Sequence, residues 1–192
     1  MQIPTVVVLS DIWFTADTHF GHHNAIRYCG RPFQDKREMD RVMIENWNRV
    51  VKPRDTVYHL GDVSFYGEIQ TTAIIQKLRG KKIMIRGNHD KGEAYYLRAG
   101  FTQYIQSRPA TPAKFEEFFL SHYPYWECYT HDDRGHKFAD RMLKQQGNRW
   151  LLCGHVHEVW KNKGRCINVG VDQWNFTPVH IDEIRAYKES LG

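Results

Sequence analysis

The chain has 192 residues, 41% of them hydrophobic and 26% charged, with a formal net charge of +5. That length suits a single domain with a proper core, and the balance is that of an ordinary globular protein rather than a disordered or fibrous one. No apolar run approaches the roughly 20 residues that cross a bilayer, and Cys29, Cys128, Cys153 and Cys166 form no CxxC pair, which argues against a structural zinc site built on thiols.

Residues 1–10 precede the first strand pattern and are expected to be disordered or an added segment. The stretch IPTVVVLSDIWF is apolar but broken by Asp11, and it lacks the basic start and small-residue cleavage site of a secretory leader. With reduced thiols, this points to a cytoplasmic protein without a membrane partner. DIWFTAD (11–17) reads as a strand running into a polar loop. Residues 35–51 place apolar side chains at 39, 42, 43, 47, 50 and 51, which is helical spacing. DTVYHLGD (55–62) reads as a strand, 68–80 as a helix stopped by Gly80, KKIMIRGN (81–88) as a strand and 93–100 as a short helix. Further strands are expected at 115–122, 149–157, 165–172 and 177–184, with a helical centre near 136–145. Residues 127–148 are polar and have no core of their own, so they are expected to form a flap or helical insertion within one domain spanning 1–192. Early alternation and late strands predict an α/β protein with mixed sheets.

The strand ends carry the chemistry. They present Asp17 and His19, then Asp62, then Asn88 and His89, then His122, then His155 and His157. In open α/β sheets such ends converge on the ligand site. Carboxylate oxygens and neutral imidazoles are the usual ligands of zinc, manganese and iron. In an extended segment, D-x-H and H-x-H would put both side chains on one side. Seven or eight such ligands are too many for one ion, whereas two ions about 3.5–4 Å apart, bridged by a carboxylate, would use them all. A single histidine of this kind is usually a loop residue; five ordered groups are a different matter.

The ordered set D-x-H (17–19), G-D (61–62), G-N-H-D (87–90), His122 and G-H-x-H (154–157) resembles the calcineurin-like metallophosphoesterases over about residues 12–175. The phrases FTADTHFGHHNAI, VYHLGDV, RGNHD and INVGVDQW are similar to a small prokaryotic and phage-type branch. The resemblance implies a four-layer α/β/β/α sandwich with two mixed sheets. It implies one divalent ion held by Asp17, His19, Asp62 and His157, and a second by Asp62, Asn88, His122 and His155. Manganese is preferred, with iron, zinc or nickel as alternatives. It further implies attack by a metal-bridging hydroxide, with His89 protonating the leaving oxygen or stabilising the phosphorane. One departure stands out: protein-phosphatase members carry a second Asp three residues after the bridging one, and Phe65 stands there. That leaves open what orients His89, and Asp90 is the adjacent candidate for a catalytic role.

His22 and Arg86 are candidates for substrate phosphate, as are Arg27 and Arg31. His59 is expected to pack behind the site and orient a ligand. Tyr123, Tyr125 and Trp126 would either stack on a base or fill the core. Asn168 and Asp172 are expected behind the ligands. The expected substrate is a small-molecule or nucleotide phosphoester, with a phosphodiester favoured over a phosphomonoester. Nucleic acid is a candidate partner. A nucleic-acid-binding module with structural metals is the rival from another class.

Overall fold

The computed structural model describes residues 10–129 and 135–192. Its first sheet contains β1 (Ile12–Thr15), β2 (Thr56–His59), β3 (Lys81–Ile85), β4 (Gln103–Ile105) and β10 (Val179–His180). The order is β10-β1-β2-β3-β4, with β1 to β4 parallel and β10 antiparallel at the edge. The second sheet contains β5 (Ala113–Phe115), β6 (Phe118–Leu120), β7 (Trp150–Cys153), β8 (Asn162–Lys163) and β9 (Cys166–Asn168). Its order is β5-β6-β7-β9-β8, with the three central strands parallel and both edges antiparallel. The helices are α1 (His23–Tyr28), α2 (Lys36–Val50), α3 (Glu68–Ile75), α4 (Glu93–Ala99) and α5 (Ile181–Ser190).

Alternation along the parallel strands explains the layering, since successive side chains face opposite ways. From the first sheet, Phe14, Ala16, Leu60 and Ile85 point inward. From the second, Phe118, Leu120, Leu152 and Ile167 meet them in one buried cluster between the sheets. Val57 and Met84 point outward under Met39, Met43 and Trp47 of α2 and Ile74 and Ile75 of α3. On the far side, Phe119, Leu151, Cys153 and Cys166 pack with Tyr125, Cys128 and Leu143. That outer layer is built from 3₁₀ turns at Trp126–Cys128 and Gly135–Arg141. Helix α2 begins where Asp35 accepts hydrogen bonds from the backbone N–H groups of Arg37 and Glu38.

Several boundaries differ from expectation, each for a local reason. The segment 115–122 is not one strand: Glu116 adopts φ 48° and folds 113–120 into the β5–β6 hairpin. The stretch 177–184 keeps only two strand residues, because His180 accepts from the Asp182 N–H and Glu183 reaches back to the His180 N–H, starting α5. The strands expected at 149–157 and 165–172 stop at Cys153 and Asn168, where the chain turns into site loops. Helix α1 and strands β4 and β8 were not anticipated, being too short for a periodic signal. The 3₁₀ segment replaces the helix expected around 136–145; residues 1–9 and 130–134 lie outside the described residues. Among the described residues, no helix is long and apolar enough to cross a membrane.

Candidate metal centre

All seven expected ligands lie just beyond the C-terminal ends of parallel strands. Asp17 and His19 follow β1, Asp62 follows β2, Asn88 follows β3, His122 follows β6, and His155 and His157 follow β7. Backbone bonds tie these loops together: the Asp17 N–H reaches Gly61 O (2.9 Å), the His19 N–H reaches Asp62 O (3.0 Å) and the Gly154 N–H reaches His122 O (3.0 Å). The two sheets are joined where the His155 N–H donates to Asp17 Oδ2 at 2.9 Å.

The ligand atoms form two groups. Asp17, His19 and His157 offer donor atoms within 4.8 Å of one another. Asn88 Oδ1 lies 2.8 Å from His122 Nε2 and 3.0 Å from His155 Nδ1, and those two nitrogens are 3.3 Å apart. Between the groups sits Asp62: its Oδ2 is 3.6 Å from His19 Nε2 and 3.6 Å from His122 Nε2.

Three features show that divalent ions fit here. Buried polar atoms are normally paired, yet Asp17 Oδ1 and both nitrogens of His19 have no hydrogen-bond partner among the described residues. The Leu60 carbonyl, 2.8 Å from His122 Nδ1, can only accept, so Nδ1 carries the proton and the Nε2 lone pair faces Asn88 Oδ1 and His155. A cation would satisfy such converging acceptors. Their spacing also suits one, because ligand atoms about 2.1 Å from an ion and at right angles stand about 3 Å apart.

The pairs D-x-H and H-x-H do not meet through strand alternation. Asp17, His19, Asp62, His155 and His157 all have left-handed backbone, with φ between 47° and 72°. Only three other non-glycine residues described share that conformation, so backbone strain is concentrated at the site. The neighbouring glycines are equally specific. A Cβ at Gly154 would fall 2.4 Å from Asp17 Oδ2, and one at Gly87 would fall 2.3 Å from Asp62 Oδ1. The composition of the motifs showed both glycines; only the packing shows that each makes room for a carboxylate.

The Asp90 carboxylate is turned away from the His89 ring and into the ligand loops. It is buried and accepts from the N–H groups of Asp62 (2.7 Å), Val63 (3.0 Å) and Gly87 (2.7 Å) and from the Tyr96 hydroxyl (2.7 Å). It clamps the loop of Asp62 to that of Asn88. Asp90→Ala strands three buried amides at about 1–3 kcal/mol each, so chemical denaturation should show a loss on the order of 3–5 kcal/mol. A loss within about 0.5 kcal/mol, the ordinary range for surface changes, would refute the clamp.

His89 stands on the rim, its side chain 50% exposed and its Nε2 3.9 Å from Asp62 Oδ2. Its N–H donates to Asp62 Oδ1 at 2.9 Å. Asp62 is the one carboxylate within 4.0 Å of the ring among the described residues. Phe65 flanks it instead, with ring centroids 4.9 Å apart, and stacks on His22 at 3.8 Å and 8°. His22 therefore lies beside His19, on an aromatic wall of the site.

Arg31 is not a substrate ligand. Buried, it forks onto Asp172 at 2.7 and 2.9 Å and donates to the Asp17 carbonyl at 2.7 Å. Asp172 in turn lies 3.3 Å from His157 Nδ1 and so helps to orient that ring. Asn168 holds the same loop, donating to the His157 carbonyl at 2.8 Å. His59 lies behind the site and contacts Thr18 Oγ1 at 2.9 Å, between Asp17 and His19. Tyr125 is core, whereas Tyr123 packs on His122 and His155, each centroid 5.0 Å away. Phe138, from the 127–148 segment, also packs on His155. Exposed Arg86 lies on a neighbouring cleft, and Arg27 is exposed at the end of α1.

Burial raises Asp17 to about 6 and Asp62 to about 7. Burial also holds His19, His122 and His155 below the ordinary imidazole value. His157 goes the other way: burial lowers it, but Asp17 and the contact with Asp172 carry it well above that value. The lowered imidazoles are ready to ligate at neutral pH, whereas Asp62 is only partly ionised there and His157 still holds a proton. Metal affinity should therefore rise with pH through the raised values. The Mn²⁺-induced increase in melting temperature should be small at about pH 5.5 and large at about pH 8. An increase independent of pH would contradict it.

Residues 11–178 match the family model described as the calcineurin-like phosphoesterase superfamily domain. The chain is 32% identical over 182 residues to an uncharacterised protein of Methanocaldococcus jannaschii, covering 90% of this chain and 88% of the relative. It is 29% identical over 189 residues to the gene 66 protein of Mycobacterium phage L5, covering 86% and 88%. A crystal structure of a protein of unknown function from Aquifex aeolicus superposes with a TM-score of 0.67 at 28% identity, covering 93% of this chain and all of that one.

Proposed function

The chain belongs to the calcineurin-like phosphoesterase superfamily, and from that premise we propose that it hydrolyses a phosphodiester of a nucleotide-type substrate at a pair of divalent ions, manganese by preference. The family supports a metal-dependent phosphoester hydrolase in general. The observation that carries the finer reading is Asp62 Oδ2, 3.6 Å from one imidazole of each ligand group and 3.9 Å from His89 Nε2. Asp17, His19 and His157 would hold one ion, Asn88, His122 and His155 the other, with Asp62 shared.

When bound, such ions supply Lewis acidity and a nucleophilic water. The protein's own residues do the rest. Asp90 and Asp172 fix the ligand loops, and Asp62 anchors the His89 backbone through its N–H. The exposed His89 imidazole is free to give its proton to the departing oxygen. The aromatic wall of Phe65 and His22 suits a base or another flat group beside that oxygen, which supports a nucleotide over a small phosphomonoester. All four cysteines are free thiols, which supports a reducing, cytoplasmic location.

The test is turnover of bis-p-nitrophenyl phosphate and p-nitrophenyl phosphate with Mn²⁺, with and without EDTA. Metal-dependent turnover with the diester preferred is expected. Preference for the monoester overturns the substrate reading, and no turnover of either, with nucleic acid still bound, favours a binding module.

A further inference from the structure

Next to the metal centre lies a second cleft of about 380 Å³, large enough for a nucleotide-sized group. Among the described residues, Arg86, Arg108 and Arg141 line it, against one carboxylate, Asp140. Its wall is continuous with the site: Gly87 precedes Asn88, and Tyr123 follows His122. Arg141 donates to the Tyr123 hydroxyl at 3.3 Å, and Arg108 donates to the Gln106 side chain. The Arg86 side chain has no hydrogen bond or ion pair among the described residues.

A substrate with a single phosphate would place its charge at the metals and leave these arginines without a counterpart. A concave surface with excess positive charge concentrates anions, and the planar guanidinium fork matches phosphate oxygens. We propose that this cleft binds a second phosphate of the substrate, so that the enzyme prefers nucleotide strands carrying a phosphate beside the scissile one. This rests on the phosphoesterase reading above and adds the class of substrate to it.

The experiment compares the thymidine dinucleotide, its 5′-phosphorylated form and a nucleoside triphosphate as substrates of the Mn-loaded full chain. The wild type and the double variant Arg108→Gln/Arg141→Gln are both measured; the two side chains are exposed, so the core is untouched. The phosphorylated dinucleotide should have a KM at least about tenfold below that of the plain one, and the variant should lose most of that advantage. Equal KM values in the wild type, or a variant that keeps the ratio, would overturn the proposal. A preference confined to the triphosphate would overturn the strand as its source.

Binding of a short fluorescein-labelled thymidine oligonucleotide in EDTA reads the cleft without turnover. The slope of log K against log salt should be shallower in the variant by about 1.4, two single-strand phosphate contacts at about 0.7 each. An unchanged slope counts against the cleft even if no phosphoester is turned over, so its failure and that of the phosphoesterase reading are distinguishable.

Discussion

Asp62→Asn is expected to lower kcat/KM on bis-p-nitrophenyl phosphate by more than about 10³-fold and to reduce bound metal from about two ions per chain to about one or fewer. Removing a group that merely orients a ligand typically costs about 10–100-fold in affinity or activity, and Asp62 stands between two ligand groups. Its Oδ2 is 3.6 Å from His19 Nε2 and from His122 Nε2. Its Oδ1 holds the His89 N–H. Asparagine keeps the size and the fold, because the backbone N–H at this position still reaches Asp90, but it removes the charge that would bind both ions. Metal analysis of the purified variant together with circular dichroism separates the outcomes. A folded Asp62→Asn variant that retains two ions would rule out the shared-ligand role.

His89→Ala should behave differently: kcat should fall by about 10²–10⁴-fold with the metal content unchanged. The ring is half-exposed and belongs to neither ligand group. Alanine preserves the backbone N–H that anchors Asp62, so the ligand loop stays in place. The loss should also depend on the leaving group. A p-nitrophenolate leaves without much help, whereas an alkoxide needs the proton, so the dinucleotide should suffer more than the activated diester. Equal losses on both would refute proton donation to the leaving oxygen, and loss of metal would refute the separation of roles.

The candidate site was legible largely because its ligands fall in five short ordered motifs, each after an apolar run. Asp17, His19, Asp62, Asn88, His122, His155 and His157 could be named from residue type and order. Strand alternation does not account for the paired motifs. Extended backbone would align D-x-H and H-x-H, but the residues are left-handed, a state that Asp and His adopt more often than most residues yet still only in a small minority of cases. The direction of the Asp90 carboxylate is illegible in the sequence for a related reason. Adjacency to His89 says nothing about where that carboxylate points, and two of the three amides it serves, those of Asp62 and Val63, lie 28 and 27 residues away.

The amino-acid order by itself determined the α/β alternation, the family resemblance and the chemical type of each ligand, because hydrophobic periodicity and donor atoms are local properties. The tertiary structure decided which groups lie close enough to hold one cation, since that depends on contacts such as that between Asp17 and His155, 138 residues apart. It assigned Arg31 and Asp172 to holding His157, and Asp90 to holding loops. It gave the place beside His89 to an aromatic ring and brought Arg86, Arg108 and Arg141 to one cleft. Hydrogen bonding and burial set those roles, and both arise only when distant strand ends are packed together.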